Sequence, residues 1–275
     1  MNEKTAVVGV IGIVGTAAVL VVIAALITTS RGQASGYAPA RTADGRPDLN
    51  GIWQAVNTAN WDLQDHAARP GPVIALGAAF SVPGGLGVVE GHDIPYKPWA
   101  AARKIANGER WLTDDPEVKC YMPGVPRATY MPFPFQIVQT PGNILIAYEF
   151  ASASRIVRMG EPGDAPADSW MGWSRGRWEG DSLVVDVTGQ REETWFDRAG
   201  DFHSDALHVV ERYTPVSRYH LMYEATIEDP KVFTRPWKIS FPLYRRLERN
   251  VQLLEFKCVP FTEELLYGAF RKLPQ

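Results

Sequence analysis

Cysteine is scarce in this chain: Cys120 and Cys258 are the only two in 275 residues. No Cys-x-x-Cys pair is present, which leaves a cysteine-based zinc site with little support. There is no Cys-x-x-Cys-His run for haem, no Walker loop and no Gly-x-Gly-x-x-Gly fingerprint for a dinucleotide. Ser204 sits in no Gly-x-Ser-x-Gly elbow. Excess charge is lacking too. The formal net charge is −3, without the broad basic field that nucleic acid requires, so nucleic acid is set aside as a partner. No internal repeat is evident.

What is abundant is turn chemistry. Gly (24) and Pro (21) make up about one residue in six, which favours short strands and many turns over long helices. Hydrophobic residues at 45% and charged residues at 21% are ordinary for a globular protein.

One long apolar run stands at the start. Residues 6–27, "AVVGVIGIVGTAAVLVVIAALI", carry no charge. As a helix this run would measure ~33 Å, the thickness of a bilayer core. A cleaved secretory signal has a shorter apolar core and a nearby small-residue cleavage site. Here the nearest such site, Gly32-Gln33-Ala34, lies beyond Arg31. The reading is therefore an uncleaved signal anchor over residues 1–30, one transmembrane helix with its amino terminus in the cytoplasm. Gly9, Gly12 and Thr16 fall within about 60° of one another on that helix. Such a small-residue stripe lets a partner helix approach.

Behind the anchor, residues 31–50 read as a polar linker and residues 51–275 as a β-rich periplasmic domain. Residues 62–98 are turn-rich and long for a structureless segment, so they are expected to wrap over a surface or another subunit. Pro98 followed by "WAAARKIAN", with Gly108 as its stop, predicts a short helix. Strand patterns follow: "FQIVQT", "ILIAYEF", "SRIVRM", "GWSRGRW", "SLVVDVTG", "ALHVVERYT", "YHLMYEATIED", "RPWKISFPLY" and "NVQLLEFKCV". About nine strands in succession predict a mainly β fold, an antiparallel meander closed as a barrel or sandwich. The tail "EELLYGAFRK" predicts a short helix. In an oxidising compartment Cys120 and Cys258 either pair, closing a loop worth at most roughly 4–5 kcal/mol, or stay as two buried thiols.

The set "DGRPDLNGIW", "DPEVKCYMPGVPR", "GRWEGDSLVVDVTG", "TWFD" and "FHSDALHVVERY" resembles a family of exported bacterial proteins of mostly unassigned function. The resemblance covers about residues 40–268 and implies export, not a reaction. The Gly-x-Trp opening and the meander also look like lipocalin-type barrels. The long uncut anchor departs from the exported pattern and suggests recruitment to a membrane assembly.

The densest polar stretch is "TWFDRAGDFHSDALHVVER", residues 194–212. His203, Asp205 and His208 are its catalytic candidates. A His-x-Asp with a further His could ligate a metal or form a base with its orienting carboxylate. The favoured alternative is a loop whose Asp and Ser groups cap turns, and no metal is assigned. Glu211, Arg212, Glu224 and Glu228 are expected on a solvated sheet face rather than in a buried ion network. Trp170, Trp173, Trp178, Trp195 and Trp237 would line a pocket for a lipid, carotenoid or quinone, or serve as core and interface. "YMPFPFQ" at residues 130–136 would make a sticky surface or an ordinary packed loop.

Three functions are expected, in this order. The first is a non-catalytic accessory subunit on the bacterial inner membrane, partnered by the bilayer and by integral membrane subunits of a photosynthetic reaction centre with its antenna or of a respiratory complex. The second is a lipocalin-like binder of an apolar molecule. The third is a periplasmic enzyme using His203, Asp205 and His208.

Overall fold

A computed structural model describes residues 37–160 and 163–271 of the chain. The apolar run and its Gly9, Gly12 and Thr16 stripe lie outside the described residues. Among those described, no helix is long and apolar enough to cross a membrane.

The β reading holds, and its closed form is a barrel. Its strands, in chain order, are β1 (Gly51–Ala55), β2 (Phe135–Gln139), β3 (Asn143–Tyr148), β4 (Ser154–Met159), β5 (Trp173–Glu179), β6 (Ser182–Thr188), β7 (His208–Ser217), β8 (His220–Glu228) and β9 (Trp237–Arg245). Each pairs with the next, and β9 closes on β1 through Trp53↔Arg245 and Ala55↔Leu243. The expected all-antiparallel meander fails at one seam. In a closed ring, strict up-and-down alternation needs an even number of strands, and this ring has nine. One neighbouring pair must run parallel; it is β4 with β5, Val157↔Ser174 to Met159↔Gly176. Residues 160–172 carry the chain back between them.

Alternation places one face of every strand inside. Trp53, Phe135, Ile146, Val185, Tyr213, Tyr223 and Leu243 point inward and are almost fully buried, each large apolar side chain contributing ~1.5–3 kcal/mol. The β5–β6 hairpin turns through Gly180, whose φ of +60° suits glycine. Gly176 is demanded by packing: a Cβ there would lie 2.5 Å from Met159 Sδ and 2.6 Å from Val157 Cγ1.

Some sequence boundaries move. The segment 250–259 forms no strand, and the ninth strand is Gly51–Ala55 instead. Once β1 has paired with both β9 and β2, no sheet edge remains for 250–259. The segment lies outside the barrel, its Leu254 amide donating to Glu149. The expected linker is partly folded: Arg41↔Pro47 bridges a small hairpin that docks by the Arg41–Asp181 ion pair. The turn-rich 62–98 segment covers the chain's own barrel, since the Glu90 amide donates to Lys238 O and the Ser240 amide to Val88 O. The helix from Pro98 runs through Gly108 to Glu109. Gly108 is there for closeness, not as a stop: a Cβ would meet Ala199 O at 2.5 Å. The tail forms a short helix at Thr262–Tyr267.

Candidate functional site

His203, Asp205 and His208 do not share a cleft. His203 is buried; its Nδ1 lies 2.8 Å from Ser204 O and its Nε2 2.6 Å from Thr194 Oγ1. A carbonyl only accepts, so Nδ1 carries the proton and Nε2 accepts from the threonine hydroxyl. Burial pushes His203 down to about 4, so it is neutral at pH 7. Asp205 is exposed and pairs with Lys231 at 2.6 Å. His208 lies on the outer wall, 3.0 Å from Asp186. Asp186 is held low despite partial burial by bonds from His208 and Arg177. Ser204 is spent on Asp229, through its amide at 2.6 Å and its hydroxyl at 3.0 Å. The stretch at 194–212 is thus a set of turn and wall contacts, and the base-with-carboxylate arrangement does not form.

The other motif residues act as struts. "DPEVKCYMPGVPR" folds so that its first and third residues grip its last. Arg127 donates to both Asp115 oxygens at 2.8 Å, to Glu117 at 2.9 Å and to Asn60 at 2.9 Å. Glu117 also receives two bonds of 2.8 Å from Arg198. The Arg198 guanidinium lies 4.5 Å from the Trp61 ring and 4.6 Å from that of Trp111. Burial pushes Asp115 up against the pull of Arg127. Against the same burial, Arg198 and Arg127 hold Glu117 low.

Three carboxylates gather under the residues that cover one end of the barrel. Oxygens of Asp62, Asp197 and Asp201 lie within 4.8 Å of one another. Tyr96 donates to Asp201 Oδ1 at 2.7 Å, and the Leu63 and Asp201 amides donate to Asp197. Burial, then the facing Asp201, pushes Asp197 well above the carboxylate range. Against burial, Asp201, Asp197 and Asp62 keep Lys104 above its usual value; its Nζ stands 3.9 Å from Asp201 Oδ2. That oxygen is buried without a hydrogen-bond donor. A proton on Asp197 directed at that oxygen would satisfy both groups, with Lys104 beside them.

Inside the barrel a second pair is locked. Arg155 Nη1 and Nη2 lie 2.5 and 2.9 Å from the two Glu211 oxygens, and the Tyr148, Tyr213 and Tyr223 hydroxyls complete the network at 2.8–3.0 Å. The expectation of a solvated Glu211 is therefore overturned; Arg212, Glu224 and Glu228 do face outward. Arg155 was missed because β4 carries apolar residues on both faces, Val157 and Met159 with Arg155 and Ile156 against it. The shared face with Val157 and Met159 was the available signal.

The five tryptophans do not line one chamber. Trp195 and Trp237 are core. Trp170 stacks on Tyr121, with ring centroids 4.6 Å apart, and Trp173 lies under Arg158 at 3.7 Å on the outer wall. Trp178 alone borders a large concavity, about 920 Å³, at the end of the barrel where β1 begins and β4 and β5 end. In the 130–136 stretch, Tyr130 and Met131 are buried, and Phe133 packs on Phe150 and Phe256.

One outward feature stands apart. Val138, Leu145 and Ile156 lie side by side on β2, β3 and β4, paired Val138↔Leu145 and Leu145↔Ile156. They are 39, 40 and 45% exposed. No protein-family model matches the chain, and no curated protein matches it either.

Proposed function

We propose that the protein is a non-catalytic accessory subunit of a bacterial membrane assembly, tethered by residues 6–27 with its barrel in the periplasm. The observation that carries this reading is the contrast between a barrel filled by its own side chains and an outer wall bearing the Val138–Leu145–Ile156 row. Contiguous exposed apolar residues on a soluble surface mark a docking face. The buried acids, bases and hydroxyls of the motifs are used to hold the fold, so the reading does not call on them for chemistry. Integral membrane subunits of an energy-converting complex, photosynthetic or respiratory, are the partner class in view.

The test is purification of the full chain from its native membrane in mild detergent. The wild type should run with a stoichiometric membrane partner. Val138→Thr, Leu145→Glu and Ile156→Lys together should release it while the chain stays in the membrane fraction. A chain that always runs alone, or a triple variant that remains bound, overturns the proposal.

A further inference from the structure

We infer that the open end of the barrel binds an amphipathic molecule with a zwitterionic head, its apolar chain lying on Met159 and Trp178 and its two head charges meeting Arg46 and the carboxylates of Asp44 and Asp48. This site is separate from the outer apolar row and does not depend on docking there.

The cavity measures about 920 Å³, at the upper end of the range for small-molecule sites, and barrel mouths are among the places where such sites form. Its floor is apolar. Met159 faces it from β4 and Trp178 from β5, with the buried Ile144 of β3 beneath them. Trp178 is half-buried and packed against the core, so its ring is fixed rather than free to swing. The bare Gly176 backbone leaves room for the Met159 thioether, because a Cβ there would lie 2.5 Å from its sulfur. A polarizable thioether beside an indole suits an alkyl chain or an apolar ring.

The rim carries both signs of charge. Arg177 is already committed to Glu179 and Asp186. Arg46 is exposed, and among the described residues its guanidinium has neither an ion-pair partner nor a hydrogen bond. Among the described residues, Asp44 accepts only from the Thr42 hydroxyl, at 2.5 Å. Asp48 accepts from the Asn50 amide groups, at 3.0 and 2.8 Å. Both carboxylates therefore have neutral donors and keep their charge uncancelled. A simple anion would meet Arg46 but be repelled by two acids; a simple cation would face the reverse. A head with a phosphate and a quaternary or primary ammonium answers both.

The test uses the full chain in amphipol, where no free detergent competes. The probe is a lysophosphatidylcholine with a brominated acyl chain, which quenches tryptophan only at short range. Residues 6–27 hold no tryptophan of their own, the first in the sequence being Trp53, and the Trp178→Phe variant separates quenching at the site from quenching elsewhere. Saturable quenching is expected, at least ten-fold tighter than for a brominated fatty acid or a brominated long-chain alcohol. Trp178→Phe should abolish most of the quenching, and Arg46→Ala should weaken binding about ten-fold. Arg46 is exposed, so that variant keeps the fold and decides the matter if Trp178→Phe does not. Brominated diacyl phosphatidylcholine in vesicles, run in parallel, separates a bilayer lipid from a free single-chain amphipath as the source. Quenching that persists in Trp178→Phe, equal affinity for the three head chemistries, or no saturable quenching at all would overturn the site.

Discussion

Arg155 and Glu211 face each other inside the barrel from strands that are not neighbours, joined by two hydrogen bonds of 2.5 and 2.9 Å. The pair ties β4 to β7 across the interior. Both side chains are nearly inaccessible to water. Their desolvation is offset only because the partner charge and three tyrosine hydroxyls are all in place. Glu211→Gln should therefore cost roughly 3–5 kcal/mol, since it leaves a buried guanidinium uncompensated. Arg155→Met combined with Glu211→Leu should cost far less, or even stabilise. Chemical denaturation of the three proteins checks this. A double variant as unstable as the single one would show that the network sets the packing of the interior and not merely its charge balance.

Arg127 makes the same kind of claim for the region outside the barrel, where it satisfies Asn60, Asp115 and Glu117 at once. A lysine keeps the charge but cannot reproduce the planar two-bond contact with Asp115. Arg127→Met should destabilise by roughly 3–5 kcal/mol, with Arg127→Lys falling between it and the wild type. Thermal melts of the three would order them. Equal melting of wild type and Arg127→Lys would mean that charge alone is needed.

Cys120 and Cys258 are joined across 138 residues of chain. The bond fixes the carboxy-terminal segment to the turn after residues 116–119, beside the hydrogen bond from the Phe261 amide to Val118 O. By loop-closure entropy a link of this length is worth about 5 kcal/mol at most. Reduction, or Cys120→Ala with Cys258→Ala, should lower stability toward that limit, and limited proteolysis should then cut first within 246–261. The exposed Leu254 and Val259 give that segment few contacts of its own. Unchanged proteolysis on reduction would show that Phe256 packing suffices.

How far the sequence could be read depended on whether a signal was local. The β5–β6 hairpin was legible because Gly180 and the alternation around it are a short-range pattern. Alternation put Val209 and Glu211 on one face of β7, but neither which face lies inside nor the fate of the Glu211 charge followed from it. That fate depended on Arg155, 56 residues away, in a strand with apolar residues on both faces. β1 escaped notice as the closing strand because five residues, Gly51–Ala55, carry little periodicity. The segment 250–259 looked like a strand from composition and lost its place because the ring was already full. His203, Asp205 and His208 looked like a site because they are close in sequence. A turn at 205–206 separates the buried His203 from His208, which opens β7 on its outer face.

Two buried groups under the same end of the barrel should pull stability in opposite directions with pH. His203 is lowered from 6.5 to about 4 by burial. Its neutral form is favoured in the fold, so its contribution is present above pH 6.5 and is lost as pH falls through about 4. The full span is about 3 kcal/mol. Asp197 is raised well above 3.8 by burial and by Asp201. Its contribution is complete below pH 3.8 and is lost as pH rises through its folded value. Between pH 4 and 6.5 the first slope rises with pH and the second falls, so the wild-type profile should be comparatively flat. His203→Gln should remove the rising limb and leave stability falling across that window. Asp201→Asn keeps an oxygen for the Tyr96 hydroxyl and turns the donor-less oxygen into an amide that donates to Asp197. It should shrink the falling limb without abolishing it, because burial of Asp197 remains, and stability should then climb from pH 4 to 6.5. Urea midpoints at half-unit pH steps for the three proteins would show the divergence. Three parallel profiles would mean that neither group changes its protonation on unfolding, and the proton-sharing account of Asp197 and Asp201 would have to be abandoned.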